Sequence, residues 1–264
     1  MIGRMIGRGS PMKNITYIFF ALFLTAVSPA YAAGGGVAIP DHPFSFDGHM
    51  GAFDQGALQR GYQVYKEVCA ACHAAKYVRF RNLSEIGFSE AEVKALAAQY
   101  TIMDGPNDEG EMFERARKPS DQLASPFANE MQARAANNGA YPSDLSTIVK
   151  ARSNGADYVY ALLMGYKDAP ADVELSAGMA YNEYFPGNQI AMAMPLFEDG
   201  VEYADGTTAT VAQMSEDVTT FLAWASEPEM MERKRLGVRV LIFLILLAGF
   251  FYASKKRVWR NLDH

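Results

Sequence analysis

The feature that most restricts this chain is Val68-Cys69-Ala70-Ala71-Cys72-His73, which sets its only two cysteines two residues apart with a histidine directly after the second. A zinc site needs about four ligands, and the remaining histidines, His42, His49 and His264, are scattered. A thioredoxin-like dithiol would sit in a βαβ context, against which the helical pattern of the flanking sequence argues. The pattern fits covalent c-type haem attachment. Thiols at this spacing, Cys69 and Cys72, add to the two vinyl groups of one haem, while the imidazole of His73 coordinates the iron from the same side.

Two apolar segments bracket the chain. Arg4, Arg8 and Lys13 precede an apolar run from Ile15 to Val27, followed by Ala30-Tyr31-Ala32 as an A-x-A-like cleavage site. Residues 1–32 are therefore expected to be a cleaved secretory signal peptide, residues 33–227 an exported haem domain, and residues 228–264 an anchor with a short tail. The uncharged run Val240 to Ser254 covers 15 residues, roughly 22 Å at 1.5 Å each. Counting from Leu236 and letting Arg239 snorkel extends it to about 28 Å, close to a hydrocarbon core of about 30 Å. Arg233, Lys234 and Arg235 before it, and Lys255, Lys256, Arg257, Trp259 and Arg260 after it, read as interfacial anchors. With the body exported, the C-terminus falls in the cytoplasm. The formal net charge of -6 argues against a nucleic-acid partner and for a basic one.

Between these segments the pattern is mainly helical. Gly34 to Phe53 reads as an extended arm, and Asp54 caps a helix running to the haem motif, with Leu58, Gly61, Tyr62, Tyr65 and Val68 on one face. Gly61 amid that apolar stripe predicts another helix approaching closely, with Phe221 or Trp224 to fill the notch, the alternative being a merely tolerated glycine. Ser89 with Glu92, and Thr210 with Gln213, form capping boxes opening further helices. Asp104 to Glu114 reads as an acidic loop. Asn137-Asn138-Gly139 and Tyr141-Pro142-Ser143-Asp144 read as turns before helices over about 145–152 and 157–166. Ser226 to Glu229 predicts a helix restart, with Pro228 in its first turn and Glu229 completing a capping box.

A haem held by His73 needs a second axial ligand or keeps an open position. A thioether suits electron transfer, an open site gas binding or peroxide chemistry. Most of the 14 methionines read as core filler. Met192 and Met194 stand in a proline-bounded loop where backbone can approach a distal face, and physics alone does not separate them.

Taken together, the residues from about Gln59 to Trp259 resemble cytochrome c1, the c-type haem subunit of the cytochrome bc1 complex. The resemblance rests on Arg60-Gly61-Tyr62-Gln63-Val64-Tyr65, Asp104-Gly105-Pro106-Asn107, Ala133 to Gly139, Asp144-Leu145-Ser146, Tyr184-Phe185-Pro186-Gly187, the Met192 loop, and Phe221-Leu222 with Trp224-Ala225. It implies a mainly α, cytochrome c-like haem domain with long loop insertions and one C-terminal transmembrane helix. It also implies Met192 as distal ligand, Arg152 as propionate partner near Tyr158, and Asn137 and Pro142 on the pocket loop, where a carbonyl would fix the His73 ring.

The chain departs from the resemblance at Pro142-Ser143, where relatives often carry two prolines, and at Met194, where they often carry proline. An extra disulfide seen in some bacterial relatives is impossible with both cysteines on haem. The implied role is electron transfer from the Rieske iron–sulfur protein to a cytochrome c. The implied setting is beside cytochrome b in a dimeric complex of the bacterial inner membrane, with the haem domain periplasmic. A stand-alone anchored electron shuttle and a haem sensor or peroxidase are the competing readings.

Overall fold

The computed structural model describes residues 37–260, so the expected signal peptide at 1–32 lies outside the described residues. In chain order the elements are α1 Gln55–Glu67, a 3₁₀ turn Cys69–Ala71, a 3₁₀ segment Phe80–Ile86, α2 Glu90–Ala98, β1 Thr101–Asp104, β2 Phe113–Ala116, α3 Glu130–Ala136, α4 Gly155–Met164, β3 Ala180–Tyr181, β4 Gln189–Ile190, α5 Val211–Ser226 and α6 Met230–Val258. Two antiparallel pairs, β1 with β2 and β3 with β4, are the sheet structure among the described residues. The fold is mainly α with long irregular connections, as the sequence leads one to expect.

Side chains that can accept from free backbone N–H groups set the helix starts. Asp54 accepts from Ala57 N–H at 2.7 Å, Ser89 and Glu92 close a reciprocal box, and Thr210 accepts from Gln213 N–H at 3.1 Å. The core forms where α1 crosses α5. A Cβ on Gly61 would collide with the Asp217 carbonyl and lie 2.8 Å from Phe221 Cβ, so the predicted notch is filled by α5 main chain and Phe221 rather than Trp224. Tyr62, Val64, Tyr65, Phe80, Leu83 and Phe221 are buried around that crossing.

Next to the crossing, Arg60 grips Asp217 through two 2.9 Å bonds and reaches Asp205 with a third, and the Asp217 side chain is wholly buried. A carboxylate can be buried there because a planar guanidinium meets both of its oxygens.

Several local expectations change. Residues 145–152 form turns, not a helix. Leu145 N–H bonds the Ala74 carbonyl at 2.8 Å and Ser146 N–H bonds Asp144 Oδ1 at 2.9 Å, as at a helix start, but Ile148 N–H reaches back only three residues, to Leu145 O at 3.3 Å, and the stretch stays in turns. Asn154 then adopts φ 64° ahead of α4. The Glu229 box is not made: α6 begins at Met230 with no side-chain cap, and Glu227 instead bonds Lys150 and Arg233 at 2.8 and 2.6 Å. The acidic stretch is the tip of a hairpin, in which Asp104 is taken up by Arg115 while Asp108, Glu109, Glu111 and Glu114 stand exposed. The sequence reading missed α3 and the 3₁₀ segment.

At 29 residues α6 is about 44 Å long. It is long and apolar enough to cross a membrane, and none of its residues is buried within the protein. At its root the Lys234 ammonium donates to the carbonyls of Phe46 and, at 3.1 Å, Gly51, tying the helix to the arm before α1. That arm packs by His42, stacked on Tyr160 with ring centroids 3.9 Å apart, and by the buried Phe44 and Phe46.

Candidate functional site

Helix α1 ends at the motif. Val68 closes it with an N–H to Val64 O, and the chain tightens into the 3₁₀ turn, with Cys72 and His73 N–H groups both donating to Cys69 O at 3.1 and 2.8 Å. That tight turn gathers two thiols and an imidazole onto one short segment. Both cysteines are free. Burial pushes the Cys69 thiol up to about 12, which keeps it protonated in apolar surroundings.

The stretch after the motif is laced to the 143–146 turn. His73 Nδ1 lies 2.7 Å from the Ser143 carbonyl oxygen. Lys76 N–H donates to Asp144 Oδ2 at 3.1 Å and Tyr77 N–H to Ser146 Oγ at 3.0 Å. A carbonyl only accepts, so Nδ1 carries the proton and Nε2 keeps its lone pair. Burial lowers the His73 pKa from its ordinary value, against the opposing pull of the Ser143 carbonyl and Asp144. The Ser143 carbonyl thus fixes one ring orientation for His73 and leaves Nε2 as the nitrogen with its lone pair free. The carbonyl that fixes it belongs to Ser143, next to Pro142.

Asn137 does not point a free amide toward a ligand, because its Nδ2 donates to Ala133 O at 2.7 Å and ends α3. Its turn, with Asn138 and Gly139 at φ 50° and 87°, carries the chain toward Pro142. Arg152 is exposed, and its hydrogen bond is to the Ala151 carbonyl, so its fork meets no carboxylate among the described residues. Burial raises the Tyr158 pKa and the Arg152 charge pulls it back, which couples this pair electrostatically.

Met192 is half-buried and Met194 is 39% exposed. The Tyr166 hydroxyl donates to the Met192 carbonyl at 3.1 Å. The loop leading there hangs on Asn182, which is fully buried: its Nδ2 donates to Leu162 O at 2.8 Å and its Oδ1 accepts from the N–H groups of Tyr184 and Phe185. Sequence reasoning missed Tyr166 and Asn182; an asparagine among aromatics in irregular chain was the available signal. A cavity of about 340 Å³ beside the motif is lined by Ala70 and Ala71 but by neither cysteine, His73 nor Met192, and is separate from this donor set.

A mainly helical domain carrying Cys-x-x-Cys-His on a tight turn, an oriented imidazole and a C-terminal helix long and apolar enough to cross a membrane has the donor set of a haem protein. Comparison with known proteins narrows this. The Cytochrome C1 family profile matches residues 44–262. Cytochrome b/c1 of Bradyrhizobium diazoefficiens is 51% identical over 263 residues, covering 91% of this chain and 38% of that longer protein. A mitochondrial cytochrome c1 heme protein of Arabidopsis thaliana is 48% identical over 237 residues, covering 89% of this chain and 77% of its own length. Cytochrome c1 of Rhodospirillum rubrum is 45% identical over 251 residues, covering 89% of this chain and 92% of that one. The chain belongs to the cytochrome c1 family.

Proposed function

We propose that the chain is the haem-bearing electron-transfer subunit of a cytochrome bc1 complex, passing electrons from a Rieske iron–sulfur protein to a basic c-type cytochrome. The observation that carries this is the His73 Nδ1 bond to the Ser143 carbonyl within a Cys-x-x-Cys-His turn, which readies Nε2 for iron. The donor set fits one covalent haem: thiols at Cys69 and Cys72, nitrogen at His73, a thioether at Met192, and for a propionate the exposed guanidinium of Arg152, which among the described residues bonds only the Ala151 carbonyl, with Tyr158 coupled to it. Asn137 and Pro142 carry the loop that presents the Ser143 carbonyl. The bound haem supplies reversible one-electron chemistry, its potential raised by a methionine ligand.

The rest falls to the protein. The turn after α1 holds both thioether points and the imidazole in one place, with Cys69 and His73 half-buried and Cys72 exposed. The exposed carboxylates Asp108, Glu109, Glu111 and Glu114, and Phe197, 58% exposed and five positions beyond Met192, are the candidate docking surface for a basic partner. In this reading residues 1–32 are removed on export and residues 33–227 stand in the periplasm. Residues 228–264 cross the bacterial inner membrane once beside cytochrome b, with the C-terminus cytoplasmic and the complex dimeric.

The test is a mild-detergent pull-down of the C-terminally tagged chain, followed by haem spectra and quinol-driven cytochrome c reduction. Co-purifying b-type haem and inhibitor-sensitive quinol activity are expected. A preparation that carries c-type haem alone, with no quinol activity, would replace this reading by a stand-alone anchored shuttle. Carbon monoxide binding to the reduced native protein would replace it by an open-site sensor or peroxidase.

A further inference from the structure

We propose that Tyr166 is a positioning residue that selects Met192 over Met194 as distal thioether by holding the Met192 carbonyl. This rests on the haem reading above and goes beyond it. Residues two apart in extended chain face one side about 6.6 Å apart, and a methionine side chain with three rotatable bonds adapts readily to the nearer of two targets. Sequence therefore presents two competing thioethers, and something in the fold has to separate them.

The stretch is pinned at both ends. Ile190 is 6% exposed and pairs with Ala180, while Leu196 is 2% exposed in the core. Between them, among the described residues, the Tyr166 hydroxyl is the only side chain that hydrogen-bonds the backbone from Ala191 to Pro195. Tyr166 itself cannot drift. It follows directly on α4 and Gly165, and its backbone pairs with Asn182, the buried hub that also holds Leu162, Tyr184 and Phe185. Fixing the Met192 carbonyl fixes the peptide plane from which the Met192 side chain departs, and it leaves Met194 on the solvent side at 39% exposure. Seating Met194 in its place would need this bond broken and the peptide turned.

The experiment uses the haem-loaded full chain in its membrane complex, comparing wild type, Tyr166→Phe, Met194→Leu and the double variant. The readouts are the ligand-methionine methyl resonance of the reduced protein and the potentiometric midpoint. Wild type and Met194→Leu should each show one methionine signal and one midpoint. Tyr166→Phe should raise the Met194-ligated fraction about tenfold, equivalent to about 1.4 kcal/mol, giving a second signal and a second midpoint. Adding Met194→Leu should remove both, which a general loosening of the loop would not do.

Should Tyr166→Phe lower haem content too far to measure, Met192→Ala with and without Tyr166→Phe replaces it. Methionine ligation should then return only when the hydroxyl is absent. A single unchanged signal in Tyr166→Phe overturns the proposal, as does heterogeneity that survives Met194→Leu. A wild-type protein with no methionine signal overturns the ligand assignment itself, a failure distinct from either of these.

Discussion

Replacing Gly61 by alanine sets two effects of opposite sign against each other. In a helix interior alanine is favoured over glycine by about 1 kcal/mol, so an open position would gain stability. At Gly61 the new methyl would collide with the Asp217 carbonyl and lie 2.8 Å from Phe221 Cβ, and main chain cannot rotate out of the way as a side-chain end can. Overpacking typically costs about 1–3 kcal/mol, and a backbone neighbour puts this site at the upper end. The net effect is a loss of about 2 kcal/mol, or a fall of about 4–8 °C in Tm for a domain of this size.

Gly56, in the first turn of the same helix, is the control. Its added Cβ would meet only side-chain ends, Arg60 Nη1 and Asp54 Oδ1, at 3.3 Å, which can give by a few tenths of an ångström as main chain cannot, so alanine there should cost far less than at Gly61. The assay is thermal unfolding of haem-loaded protein followed by far-UV circular dichroism for wild type and both variants. A Gly61→Ala protein as stable as wild type, or more stable, would refute the close crossing of α1 and α5 as the source of the effect.

Other expectations concern charge. Asp217→Ala leaves the Arg60 guanidinium without its buried partner and should cost about 3–5 kcal/mol in denaturant unfolding; a loss under 1 kcal/mol would mean Asp205 alone satisfies Arg60. Reversing Asp108 and Glu109 to lysine should slow reduction of a basic cytochrome c at low ionic strength and converge on wild type at high salt, and equal rates at low salt would remove the hairpin from the docking surface. The Arg115 guanidinium holds the Asp121 carboxyl down at about 2, helped by the Lys118 N–H, while an unfolded Asp titrates near about 3.9. A depressed folded pKa stabilises above the unfolded value, so this contribution is complete above about pH 4 and disappears as pH falls through about 2. Asp121→Asn should flatten that part of the acid stability profile, and an unchanged profile would contradict the assignment.

Much of the local structure was legible because it is set by residues close in sequence. Cys69, Cys72 and His73 sit within five residues, the caps at Asp54, Ser89 and Thr210 act three residues ahead, and the charge-flanked apolar helix is a continuous run. Even the α1–α5 crossing left a trace, since glycine on an apolar stripe has few other reasons to be there. What stayed hidden is held by partners distant in the chain. Arg60 and Asp217 are 157 positions apart, and Asn182 works through the carbonyl of Leu162 and two amides of its own loop. Neither leaves a period or a motif. The turns at 145–152 were misread although their helical spacing is genuine: Ile148 N–H reaches back only three residues to Leu145 O, and Asn154 leaves helical backbone at φ 64°.

The attachment of α6 has a mechanical corollary. Only Glu227 to Glu229 separate α5 from α6, Glu227 is gripped from both sides by Lys150 and Arg233, and Lys234 hooks two carbonyls of the arm. A hinge needs slack, and this joint has almost none. The haem-bearing body is mounted on its stalk as a bracket is on a post, held at one height and one heading. Under the proposed function, any travel needed to collect or hand over an electron would fall to the partners.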